Sequence, residues 1–205
     1  TAIGDNALGA NTTASYNTAV GGDALLVSTT GQRNVAVGYT ALDAATTGSD
    51  NAVVGAYAGT EVTTGIENTL LGYYSGAAIT TADYNTAVGS GALQNNTAAQ
   101  NTAVGRTALG ANTSGVDNTS VGYNSLDANT TGGDNTAVGD NALGANTTAN
   151  ANTAVGSSAL LVNTTGGSNV AVGYGSLDAN TTASNNTAVG YASLGANTTA
   201  SNNTA

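Results

Sequence analysis

The chain has 205 residues and lacks Phe, Trp, Met, Cys, Pro and His entirely. Its 4% aromatic content is all Tyr, so a core must be assembled from Val, Leu, Ile and Ala, which suits a thin, regularly stacked interior. Charged residues make up 7% and hydrophobic residues 40%, a balance unlike that of disordered chains. The net charge is −10 and Arg33 and Arg106 are the only cationic side chains, which excludes an electrostatic grip on a nucleic-acid backbone. Without Cys there is neither a disulfide framework nor a thiolate metal site, and no apolar run approaches the ~20 residues of a membrane span.

Taken in chain order, the sequence divides into eleven units of seventeen residues and one of sixteen, with Thr204-Ala205 opening another. The consensus is T-A-V-G-x-x-A-L-x-x-N-T-T-(G/A)-x-x-N. Three of its positions are constant: Gly at the fourth (Gly4, Gly21, Gly38), Thr at the twelfth (Thr12, Thr29) and Asn at the seventeenth (Asn17, Asn34). The third position is always Val, Ile or Leu, as at Val20 and Val37. The eighth is Leu, as at Leu25 and Leu42, except at Gly59 and Gly76.

A seventeen-residue unit cannot bury enough apolar surface to fold alone, so its units must stack. The stretch N-T-A-V-G centres on a β-branched residue and predicts a short strand closed by a glycine that needs positive φ or close backbone approach. A second strand is expected over A-L-x-x-N-T, followed by a turn at T-(G/A)-x-x-N. Helix is the weaker reading, because Gly, Thr and Asn interrupt every turn of one. The expected fold is therefore all-β: a β-solenoid, a parallel β-roll or β-helix, of twelve coils forming one array over 1–205, intertwined or laterally associated as a fibre. At ~4.8 Å per coil the array would extend roughly 58 Å. Equivalent residues then form files: Val20 with Val37 and Leu25 with Leu42 as apolar files, Thr12 with Thr29 and Asn17 with Asn34 as hydrogen-bonded polar ladders.

Individual units carry the exceptions. Units one to three recur as units nine to eleven, with Leu25-Leu26-Val27 repeated as Leu160-Leu161-Val162, a sign of duplication within a longer fibre. Units four and five, residues 52–85, replace Leu by Gly59 and Gly76 and place Val62 and Ile79 at the eleventh position, beside Tyr57, Tyr73 and Tyr74. Two explanations stand open: an apolar surface for lateral contact, or a rearranged core. Unit six is one residue short, which predicts a tightened turn near residues 98–100.

The strings T-A-V-G and N-T-T-G, as in Asn101-Thr102-Ala103-Val104-Gly105, resemble repeats found ahead of tail-fibre-type domains in bacterial and phage proteins. More distantly they are similar to the head repeats of trimeric autotransporter adhesins. That resemblance implies an extracellular fibre, on a cell or virion surface, acting as a stalk, spacer or adhesive head. Here the unit is seventeen residues rather than nearer fourteen, so handedness and strands per coil do not carry over.

Catalysis has little to work with: Ser and Thr lack a base, and the acids fall at turn positions, such as Asp43, Asp127 and Asp178. Solvated turns account for them; calcium between neighbouring coils is the alternative, but its G-G-x-G-x-D signature is absent. No enzyme activity, cofactor or metal is expected. Asn11, Asn112, Asn129, Asn146, Asn163, Asn180 and Asn197 each open an N-glycosylation sequon at the eleventh position, against the bland reading that Asn/Thr-rich sequence makes sequons by chance. Tyr39, Tyr73, Tyr123, Tyr174 and Tyr191 share the fifth position, either as an outward file for glycans or a neighbouring filament, or as covers for the turn. The expected function is a structural fibre or filament subunit whose partner is itself, head to tail or side by side; the rivals are a glycan-binding head and an ice-binding solenoid with a flat Thr ladder.

Overall fold

Only the first three residues of each repeat have the alternation and β-branching that a pleated strand requires, and only they form one. The computed structural model describes residues 1–205, with strands and turns but no helix. The chain divides into two compact units, Thr1–Asn101 and Thr102–Ala205.

The first unit contains β1 (Ala2–Ile3), β2 (Thr18–Val20), β3 (Val35–Val37), β4 (Ala52–Val54), β5 (Thr69–Leu71) and β6 (Thr86–Val88). The second contains β7 (Thr102–Val104), β8 (Thr119–Val121), β9 (Thr136–Val138), β10 (Thr153–Val155), β11 (Val170–Val172) and β12 (Thr187–Val189). In each unit the strands pair in parallel with their sequence neighbours and without register slip. Val20 lies opposite Val37 in the first, and Thr136 opposite Thr153 in the second. Each unit is thus a parallel β-solenoid, one strand per coil.

The expected second strand does not form: A-L-x-x-N-T is a turn. The reason lies in the backbone. In every coil the fourth, sixth and eighth residues and the one before the closing Asn have positive φ, which a strand cannot accommodate. Three such residues within five, as at Gly139 (φ 137°), Asn141 (φ 53°) and Leu143 (φ 53°), fold the chain sharply back. The turns nevertheless stack, since the Leu143 N–H donates to the Ala159 carbonyl of the next coil at 3.0 Å.

Placing Leu in the left-handed region costs about 1–2 kcal/mol. Leu143 tolerates it because its side chain is fully buried, which contributes about 1.5–3 kcal/mol. Gly59 and Gly76 (φ 57° and 56°) avoid that strain but leave the space a leucine would occupy. Leu70 of β5 fills it: a Cβ built on Gly59 would lie 2.9 Å from one of its methyl carbons, and one on Gly76 2.6 Å from the other. Val53, Val62, Leu70 and Ile79 are all fully buried, so residues 52–85 are a rearranged core.

The apolar file of the strands is also not the one expected. In each three-residue strand the middle residue is buried, as at Ala19, Ala36, Ala137 and Ala154, while the residues either side face outward. Val20 and Val37 therefore form a file, but on the surface side of the sheet; the core is the middle Ala, the seventh-position Ala and the eighth-position Leu. Outside residues 52–85, where Val53 and Leu70 take this inward place, the coil holds only a small side chain there, and the β-branched residue packs along the outer face instead.

Candidate functional surface

Stacking copies every side chain once per coil, so the chemistry of this molecule comes in files. The closing Asn forms the innermost polar one. Asn34 donates its side-chain N–H to the Gly48 carbonyl at 2.8 Å and, through Oδ1, accepts the Asn51 backbone N–H at 3.0 Å. In the second unit Asn152 repeats the arrangement toward Gly166 and Asn169 at 2.9 Å each. The Asn17 and Asn34 ladder has the hydrogen-bonded form expected, and its members are buried.

The eleventh position forms a second polar file in the second unit. Asn129 donates to Asn112 Oδ1 at 2.9 Å, Asn146 to Asn129 at 2.9 Å and Asn180 to Asn163 at 2.8 Å, while each also donates to a carbonyl of its own coil. Asn112, Asn129, Asn146, Asn163 and Asn180 are fully buried, with the nitrogens that would carry a glycan pointing at neighbouring amides. A folded coil has no room for a glycan there. Asn11 and Asn197 are more open, yet they too donate, to Ala14 and to Asn180 and Ala200. In the first unit this file passes through Ser28, turns apolar at Ala45, Val62 and Ile79 and returns to Asn96, all buried.

Three threonine files differ in what their hydroxyls do. At the twelfth position they are spent on the next coil: Thr12 donates to the Thr29 carbonyl, Thr29 to Thr46 at 3.1 Å and Thr164 to Thr181 at 3.0 Å. At the thirteenth position Thr148, Thr165 and Thr182 are exposed at the coil's corner. The first position is the most ordered, because Thr102, Thr119, Thr136, Thr153 and Thr187 sit on hydrogen-bonded strands in strict register. Beside them runs the outer Val file.

Fifth-position tyrosines are about half exposed or more: Tyr39, Tyr73, Tyr123, Tyr174 and Tyr191. Many of their ring faces are already occupied. Tyr174 and Tyr191 stack on one another with centroids 5.6 Å apart and planes within 9°. In the first unit Tyr57 stacks on Tyr74 at 4.9 Å, with Tyr39 and Tyr73 edge-on around it at 5.6 and 6.0 Å. Tyr123 has Arg106 at 5.7 Å from its centroid. These rings form ladders along the coil direction, stacked like the residues beneath them.

Arg33 is paired with Asp50 of the next coil through two hydrogen bonds, at 2.5 and 2.7 Å, which hold the Asp50 carboxyl below the usual carboxylate range. Asp43 and Asp127 behave oppositely. Burial pushes both carboxyls up, against the lowering effect of nearby backbone N–H groups. A carboxyl whose folded pKa lies above its unfolded value near 3.9 binds its proton more tightly in the folded state, so its stabilising effect is present below that value and lost as pH rises through the folded one. Asp127→Asn is therefore expected to match the parent near pH 3 and exceed it at pH 7, measured as urea midpoints across the acid range.

The one-residue deletion in unit six falls where expected. Asn96 donates to the Ala98 carbonyl at 2.6 Å and Asn101 to Ala99 at 3.1 Å, drawing the shortened corner closed over residues 97–101. No helix of the molecule is long and apolar enough to cross a membrane. Comparison with protein-family models, with curated proteins and with solved structures gives no match to the chain. By its own geometry it is a β-solenoid repeat protein.

Proposed function

We propose that this chain is a structural element of an extracellular fibre, a shaft or spacer on a cell or virion surface, built by stacking coils. The observation that carries the proposal is the propagating hydrogen-bond set of the closing Asn. Each coil offers on one side the groups that it satisfies on the other, as the Asn135, Asn152 and Asn169 series does, so a further coil is always accommodated. Such an array resists extension, because lengthening it breaks a buried amide ladder and backbone bonds in every coil. The likeness of T-A-V-G and N-T-T-G to tail-fibre repeats supports the same reading. Further coils can be supplied by the same chain or by a second copy meeting it head to tail.

The test is electron microscopy of concentrated protein. Filaments whose averaged power spectrum shows an axial spacing near ~4.8 Å are expected. Dispersed particles without axial order, or an axial rise near 13 Å as in a triple-stranded spiral, overturn the proposal.

A further inference from the structure

In this acidic molecule the outer sheet faces of both units lack charge, and that of the second unit is the more regular. Strands β7 to β12 each present their first and third residues outward, and none of those residues is charged. The first file is Thr102, Thr119, Thr136, Thr153, Val170 and Thr187; the third is Val in every strand. Register is one to one throughout, as in the pairing of Thr119 with Thr136 and Val121 with Val138. The threonine hydroxyls of this file, unlike those of the twelfth position, bond to no other residue. Val155 and Val189 are 37% and 61% exposed.

The face is thus a two-dimensional grid of fixed hydroxyls and methyl groups. Its spacing is ~4.8 Å from strand to strand and about 6.6 Å from the first to the third residue of one strand. Parallel backbone hydrogen bonding holds every node, so little conformational freedom remains to be lost when an ordered layer forms on it. Water between neighbouring threonines meets a hydroxyl partner on each side and a methyl group that restricts its orientation.

From this grid we infer that the Thr-x-Val face of the second unit binds the surface of crystalline ice. A rigid lattice of neutral hydroxyl and methyl groups matches a neutral crystal whose surface repeats on a similar scale. A second copy of the chain is the poorer occupant: the strip covers about 190 Å² by those spacings, well short of the ~800 Å² per partner of a stable interface. A soluble acidic or basic partner finds no charge here to pair with. This activity stands apart from the fibre reading, because a shaft with or without it would be assembled by the same ladders.

The experiment measures thermal hysteresis, and the partition of the whole chain into slowly growing ice, for the parent and two variants. Thr136→Lys places a charge in the middle of the grid; Thr148→Lys places the same charge at the exposed corner. Circular dichroism melts establish that both fold. The expected result is hysteresis and ice partition in the parent, at least a fivefold loss in Thr136→Lys, and no change in Thr148→Lys. Absence of hysteresis and partition in the parent, or equal loss in both folded variants, overturns the inference. So does adsorption to crystalline cellulose or chitin with none to ice, which would assign the face to a polysaccharide.

Discussion

Gly139→Ala is expected to lower the unfolding free energy by about 4 kcal/mol or more. Two causes act together. The Gly139 φ of 137° lies beyond the left-handed helical well, in a region that essentially only glycine enters. A Cβ there would also lie 2.6 Å from the carbonyl carbon and oxygen of Gly156, the equivalent glycine one coil on. Backbone cannot rotate away as a side chain can, so the two coils must part, and the hydrogen bond that joins them, from Gly156 N–H to the Val138 carbonyl at 2.7 Å, is strained with them. Gly144→Ala is the control. That residue lies outside the positive-φ set, its Cβ would have 3.3 Å to its nearest neighbour, and Ala77 already occupies the same position in another coil. Chemical denaturation of both variants decides the matter: similar midpoints would refute the close-approach account of the constant glycine.

Asn152→Ala is the second, with an expected loss of about 3 kcal/mol. Asn152 is fully buried; its Oδ1 accepts the Asn169 backbone N–H at 2.9 Å and the Asn169 side chain at 3.2 Å. Truncation leaves that backbone N–H buried without a partner, which costs about 1–3 kcal/mol, and opens a space where an amide had packed. The Gly166 carbonyl is less affected, because Asn163 also donates to it at 2.9 Å. Asn152→Asp separates the polar loss from the packing loss. It keeps the shape and the acceptor toward Asn169, but sets an oxygen against the Gly166 carbonyl. Protonated, that oxygen can donate as the amide did; ionised, it is a buried charge facing an acceptor. Its folded pKa is therefore raised, and the variant is expected to approach parent stability below pH ~4 and to lose it as pH rises. A flat difference from the parent between pH 3 and 8 would count against the ladder as drawn.

The repeat length, the parallel stacking and the Asn and Thr ladders were legible because each needs only recurrence at a fixed interval. What sequence reasoning missed were the two inversions of inside and outside. Val20 and Val37 look like core residues by hydropathy, yet the strand's interior accepts only what the second position supplies, mostly Ala. Asn146 and its equivalents look like surface sequons, yet they are buried. A signal for the second was present: the same position holds Ala45, Val62 and Ile79 in other coils, and a place that accepts Asn or Ile but never a charge is an interior place whose amide is satisfied. The missed turn had its own signal. A position occupied by Leu or by Gly, as at Leu42 and Gly59, combines a demand for burial with a demand for positive φ, and no strand makes both demands. Hydropathy averages over that pattern, which is why a second strand was expected there.

The buried amides of the eleventh position give the second unit a direction. Asn129, Asn146 and Asn180 each donate toward the lower-numbered coil and accept from the higher-numbered one, so their dipoles add rather than cancel. One face of such a stack presents carbonyl oxygens and the opposite face amide hydrogens. In the fibre proposed above, growth by addition of coils would therefore be vectorial: the two faces would recruit at unequal rates, and the filament would have a leading and a trailing tip.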